Sequence, residues 1–158
     1  MDLAELATRL ARLEDLEALR HLKAAYCEAC DRGSAAAVVE LWLADGVLEV
    51  LPDGPAAHGH AELLAFYSRL PPRFPFCVHL LANPRLELDG DRARGRWWIL
   101  MPAEVAEAPG SPAREERWLV AEYEDDYARE SGRWRIARSR VRPRWLATRA
   151  ELAQVARR

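Results

Sequence analysis

The sequence predicts an α+β fold: a cone in which N-terminal helices wrap a curved, mostly antiparallel sheet around a central pocket. Two features carry that expectation. Apart from one short strand, apolar residues up to Leu70 recur every three or four positions, and from Phe76 they alternate in the manner of strands. Helices followed by a meander of long strands place the helices on one face of a single sheet. The chain has 158 residues, 50% of them hydrophobic, which suffices for one full core and is short for two. A single domain spanning 1–158 is expected, with its core in 13–142 and a C-terminal strap in 143–158.

Taken in order, Leu3, Leu6, Leu10 and Leu13 make one helical stripe, and Leu16, Leu19, Leu22 and Tyr26 continue it, so a first helix fills the first thirty residues and packs on the domain. Asp31-Arg32-Gly33-Ser34 stops it and caps a second, short helix whose buried side is Val38, Leu41 and Trp42. A strand over 47–51 and a loop over 52–59 lead to a third helix, 60–70, ended by Pro71 and Pro72. The region 76–88 is extended with a break at Asn83-Pro84, and Asp89-Gly90-Asp91 turns into a strand over 93–101. Prolines and a glycine make 103–113 irregular. Strands over 116–127 and 133–141, joined by Glu130-Ser131-Gly132, complete the sheet, and nothing after Pro143 carries chemistry.

Charge and composition exclude several functions. A formal net charge of -2 and a pI near 6.1 give no electrostatic reason to expect nucleic acid or an anionic membrane as partner. Apolar runs fall well short of the roughly 20 residues of a membrane helix. The N-terminus lacks the pattern of a secretory signal and the cysteines, Cys27, Cys30 and Cys77, are odd in number, so a reducing cytoplasm is the expected location. Cys27 and Cys30 form a C-x-x-C pair on a helix with no second pair to complete a zinc site, and read as small buried residues. His58-Gly59-His60 lacks a third ligand and reads as a surface loop. No metal is expected, and without a glycine-rich phosphate loop no nucleotide.

Polar residues amid apolar patterns are the candidates for chemistry, because a buried polar group must be paired or functional. Tyr26 replaces an expected leucine on the helical stripe. Asp31 lies five residues on, about 140° around a continuing helix, so the helix is expected to end and let the carboxylate turn into Tyr26's cavity with Gly33 supplying a left-handed turn. His79 interrupts the apolar run Phe76-Cys77-Val78-His79-Leu80-Leu81. Its imidazole can take a proton near physiological pH, and a carboxylate on its second nitrogen would fix the tautomer. Trp42 and Trp97 are expected in the core or along an aromatic pocket wall.

Four stretches, LEDLEALRHLKAAYCEACDRG, HLLANPRLELDGDRARG, AEYEDDY and GRWRIARSRVR, resemble the SnoaL-like branch of the nuclear transport factor 2 superfamily, in the part that includes scytalone dehydratase and the bile-acid 7α-dehydratases. The resemblance runs over roughly residues 13–142. It implies a cone-shaped fold and a cofactor-free dehydratase with Tyr26, Asp31 and His79 as catalytic residues, acting on a small hydrophobic cyclic substrate such as a polyketide- or steroid-like β-hydroxy ketone. Where relatives often carry another acid or histidine on the next strand, this chain has only Glu104, beyond Pro102. The arginine that the bile-acid enzymes carry late in the last strand corresponds to Arg140 or Arg142. Trp42, Trp97, Glu104, Arg140 and Arg142 are thus the expected substrate-binding residues, and a homodimer or homotrimer through the outer sheet face is implied. Isomerisation or polyketide ring closure on the same cone, or a non-catalytic binding or assembly role, are the alternatives.

Overall fold

A computed structural model describes residues 2–155, with the side chains of residues 2–152. The first helix, α1 (Leu3–Asp31), is capped by the Asp2 carboxylate, which accepts from the Glu5 backbone N–H at 2.7 Å. Its inner half buries Leu19, Leu22, Lys23, Tyr26 and Cys27, spaced so that one face meets the sheet. Asp15 is where the helix joins the domain: its carboxylate accepts from Arg129 at 2.6 Å and from the Trp134 indole at 3.0 Å. Every residue before it, from Asp2 to Glu14, is exposed. The expected packing of the first leucines is therefore corrected, since Leu3 and Leu13 stand 85% and 62% in solvent.

Next come α2 (Ala35–Val39), β1 (Trp42–Val50), β2 (Ala56–His58) and α3 (Gly59–Ser68). Trp42 is not on the second helix but opens β1, five residues earlier than the sequence pattern places that strand. The remaining strands are β3 (Phe76–Cys77), β4 (Leu80–Asp89), β5 (Arg92–Ala106), β6 (Arg114–Glu130) and β7 (Arg133–Thr148), followed by α4 (Arg149–Val155). The break at Asn83-Pro84 is present as a register shift between Ala82 and Arg85, with Asn83 at φ 49°. β5 runs past Pro102 and β7 past Pro143, so much of the expected loop and strap is strand, and the strap's last residues, 156–158, lie outside the described residues.

All these strands form one strongly curled mixed sheet in the order β2-β1-β7-β6-β5-β3, with β4 also on β5. Only β1 and β7 pair in parallel. Alternation assigns the faces. Trp97, Ile99, Met101, Ala103 and Val105 of β5, and Ala121, Tyr123, Asp125 and Tyr127 of β6, turn inward to the helices. The even-numbered neighbours turn outward and form cross-strand ion pairs: Arg96 to Glu122 at 2.7 Å, Arg140 to Asp126 at 3.1 Å and Arg142 to Glu124 at 3.5 Å.

Candidate active site

The inner face of the sheet, the C-terminal end of α1 and helix α3 enclose a cavity of about 300 Å³. Leu48 and Val50 of β1, Phe66 of α3, Met101 of β5 and Val141 and Pro143 of β7 contribute to its largely apolar wall. Its polar groups are gathered in two places.

Asp31 and His79 make the first. Asp31 is the last residue of α1, and the chain then turns through Gly33 at φ +67°, where an added Cβ would meet Pro71 Cγ at 2.9 Å. This close turn leaves the carboxylate facing the segment after β3. There the His79 backbone N–H donates to Asp31 Oδ2 at 3.0 Å, His79 Nδ1 lies 2.5 Å from Oδ1, and the Cys77 thiol donates to Oδ1 at 3.7 Å. Burial pushes the Asp31 carboxyl up, but the His79 ring and backbone N–H groups, the imidazole charge and the Cys77 thiol together outweigh it and hold the group below its usual range. Burial, followed by the Asp31 charge, pushes the Cys77 thiol up to about 11, so it stays protonated. An ionised carboxylate only accepts, so the Nδ1 that faces it carries a proton, and whenever the ring is neutral its lone pair is on Nε2.

Three tyrosines make the second. Leu63 and Tyr67, one helical turn apart on α3, both point inward, which sets the Tyr67 hydroxyl 3.0 Å from that of Tyr26. The rings of Tyr67 and Tyr123 meet the Tyr26 ring edge-on at centroid distances of 6.2 and 6.3 Å. Burial, reinforced at all three by the Cys30 thiol and at Tyr67 and Tyr123 also by the Asp125 carboxylate, raises these phenols well above their ordinary value, so they act as neutral donors. Beneath them lies Lys23, whose fully buried ammonium is 3.9 Å from the Tyr123 ring centroid and 4.6 Å from that of Tyr26. It meets Asp125 Oδ2 at 2.8 Å as an ion pair outside the angular range of a directed hydrogen bond. Asp125 also accepts from Ser139 at 2.6 Å and Tyr127 at 2.7 Å.

Tyr26, Asp31 and His79 all line this one cavity. Helix α1 continues through Asp31 rather than ending before it, and the carboxylate reaches the cavity from the helix's last turn. The five residues expected to bind substrate lie elsewhere, which corrects that expectation. Trp42 is 2% exposed and packs in the core against the edge of Tyr26. Trp97, also in the core, donates its indole N–H to Tyr127 at 3.0 Å. Glu104 has the outward parity of β5 and pairs with Arg114 at 2.8 Å. Arg140 and Arg142 share the parity opposite to Val141 and Pro143, so when those two face the cavity the arginines face out. Tyr67, Tyr123 and Cys77 were missed. A tyrosine on the apolar stripe of α3, one turn after Leu63, was the available signal for Tyr67.

Asp31, Cys77 and His79 are also the one group among the described residues whose donor atoms, within 4.8 Å of one another, could share a metal ion. His58 and His60 are not part of it: His58 stands at the N-cap position of α3 with its backbone N–H donating to Glu62 Oε2 at 2.8 Å, and His60 Nε2 contacts the Trp42 carbonyl at 3.2 Å. Burial pushes the Cys27 thiol up to about 12 and raises that of Cys30 further, as expected of inert helix thiols. No described helix is long and apolar enough to cross a membrane.

Among solved structures, the fold matches a hexachlorocyclohexane dehydrochlorinase, LinA-type3, from Novosphingobium barchaimii at a TM-score of 0.79 and 22% identity, covering 90% of this chain and 94% of that one. A protein from Novosphingobium aromaticivorans provisionally described as a scytalone dehydratase matches at 0.77 and 17% identity, over 86% and 88% of the two chains. An NTF2-like protein with a cystatin-like fold, also from Novosphingobium aromaticivorans, matches at 0.72 and 28% identity over 90% of each chain. No curated protein matches the chain in sequence. The model of the SnoaL-like domain matches residues 11–140, and the chain belongs to that family.

Proposed function

We propose that this protein is a cofactor-independent lyase that eliminates water from a small cyclic β-hydroxy ketone. The observation that carries the reading is the Asp31–His79 contact of 2.5 Å opening onto an otherwise largely apolar cavity. Asp31 orients the ring and stabilises the imidazolium, which leaves Nε2 to remove the proton next to the substrate carbonyl. The electron pair passes into an enolate, whose oxygen accepts from a neutral tyrosine hydroxyl, that of Tyr26 or its partner Tyr67. As the enolate collapses, the β carbon–oxygen bond breaks. The departing hydroxyl takes the proton back from His79, leaving as water, and the product is the conjugated enone. At about 300 Å³ the cavity stands at the lower end of the roughly 300–1,000 Å³ of ligand sites, so one or two rings suit it better than four fused ones. The dehydrochlorinase neighbour, by its name, removes hydrogen chloride, an elimination of the same form.

The test is to incubate the protein and its His79→Ala variant with one- and two-ring β-hydroxy ketones, following ultraviolet absorbance and product mass. Appearance of an enone with loss of one water, slower by about 100-fold or more in the variant, is the expected result. Conversion without a mass change would point to isomerisation, and equal rates in both proteins would remove His79 from the mechanism.

A further inference from the structure

We propose that Asp31, Cys77 and His79 bind a thiophilic divalent cation of the zinc class, and that loading this site moves the His79 ring proton from Nδ1 to Nε2. One carboxylate, one thiol and one imidazole are a donor set that suits zinc, whereas magnesium and calcium take oxygen ligands. The three donor atoms lie within 4.8 Å of one another.

Two parts of the fold bring them together. Cys77 closes β3, and His79 follows two residues later on an extended stretch that the Val78 N–H ties to the Pro102 carbonyl at 3.2 Å. At that spacing both side chains emerge on one side. Asp31 comes from the end of α1, 46 residues before Cys77. The His79 backbone N–H donates to Oδ2 at 3.0 Å and so orients the carboxylate, leaving Oδ1 between the thiol and the ring.

The spacing is close to that of a loaded site. Around a tetrahedral ion with a Zn–S bond of about 2.3 Å and Zn–N and Zn–O bonds of about 2.0–2.2 Å, sulfur and oxygen stand about 3.5 Å apart and nitrogen and oxygen about 3.3 Å. Cys77 Sγ is already 3.7 Å from Asp31 Oδ1. The His79 Nδ1–Oδ1 separation of 2.5 Å has to widen by about 0.8 Å as the ion replaces the proton between them. Thiolate and carboxylate then cancel the two charges of the ion, so loading adds no net charge to a largely apolar cavity. All three residues line that cavity, which leaves the fourth position to water.

The protons balance as follows. The thiol releases its proton to solvent, and the neutral imidazole, its Nδ1 lone pair now on the metal, carries its proton on Nε2. That nitrogen then lacks the lone pair needed to take a proton from substrate. On the lyase reading, on which this last consequence alone rests, the loaded site is inactive.

Cobalt(II), an optical stand-in for zinc, tests the site when titrated into the protein. It is expected to give a thiolate-to-metal charge-transfer band in the near ultraviolet that saturates at one ion per chain and disappears when zinc is added. Cys77→Ser is expected to abolish the band, which separates this site from Cys27 and Cys30, and His79→Ala to weaken binding by at least about 10-fold. On the unaltered chain, zinc at about 100 times its Kd is expected to raise the melting midpoint by about 5–10 °C. Long-range proton–nitrogen NMR spectra of the ¹⁵N-labelled protein read the tautomer, with the His79 proton expected on Nδ1 before zinc and on Nε2 after it. No band in the unaltered chain, a band that survives Cys77→Ser in a folded protein, or a His79 tautomer unmoved by saturating zinc would each overturn the proposal. None of these readouts uses a substrate, so their failure falls on the metal site and leaves the elimination to be judged by its own assay.

Discussion

Replacing Lys23 by methionine tests how the floor of the cavity is held. Both side chains of the Lys23–Asp125 pair are 0% exposed, with the charges 2.8 Å apart. Methionine fills much of the volume but leaves the carboxylate buried without its counter-charge, a change that costs about 3–5 kcal/mol. Ser139 and Tyr127 still donate to Asp125, at 2.6 and 2.7 Å, which places the loss near the lower end, about 3 kcal/mol. For a chain of this length each kcal/mol moves the midpoint by roughly 2–4 °C, so Lys23→Met should melt about 6–12 °C below the wild type. Far-UV circular dichroism during heating reads this directly. The double variant Lys23→Met/Asp125→Asn should recover at least half the loss, because it leaves no net charge inside and the amide oxygen can still accept from the hydroxyls. A single variant within 2 °C of wild type, or a double variant no better than the single, would refute the assignment of the loss to an unpaired buried charge.

Asp31→Asn should reduce elimination by about 10²–10⁴-fold with little change in KM, since the amide no longer enforces the reactive tautomer. The same variant should alter stability with pH. Asp31's folded pKa is depressed, so its contribution is present above the unfolded value near 3.9 and is lost as pH falls through the folded value. Urea unfolding should accordingly show the gap between wild type and variant at its widest above about pH 4 and narrowing below it. A constant gap from pH 6 to 3 would argue against the depressed carboxyl. Tyr26→Phe should lower kcat about 10²–10³-fold if its hydroxyl meets the developing enolate, and by less than 10-fold if Tyr67 alone does so. Single-turnover rates of Tyr26→Phe beside Tyr67→Phe distinguish the two.

How far the sequence could be read depended on what each pattern measures. Periodicity located α1 correctly but could not say which leucines meet the domain: Leu3 to Leu22 look alike in spacing, yet contact begins only at Asp15. Polar residues stranded among apolar ones pointed to Tyr26, Asp31 and His79, and these line one cavity. The same rule extends to Lys23, the chain's one lysine, which sits on the buried face of α1 and pairs with Asp125. Tyrosines on β6 and α3 escaped because aromatic residues are ordinary in a core, and only the three-dimensional meeting of Tyr26, Tyr67 and Tyr123 distinguishes them. The arginines of β7 illustrate a register limit. Parity puts Arg138, Arg140 and Arg142 on one face, but which face depends on bulges beside Val120 and Asp126, which alternation alone does not reveal.

The parallel seam between β1 and β7 has a kinetic consequence. It joins an early strand to the last one, and the cavity wall draws Leu48 and Val50 from one side of that seam and Val141 and Pro143 from the other. Contacts so distant along the chain carry the largest loop-closure entropy and form late. While the neighbouring hairpins β4–β5, β5–β6 and β6–β7 can assemble from local turns, the chamber lacks its β1 side, Leu48 and Val50, until that final docking. Until it occurs, the apolar lining faces solvent, and the interval before docking is the window in which a nascent chain is most exposed to aggregation.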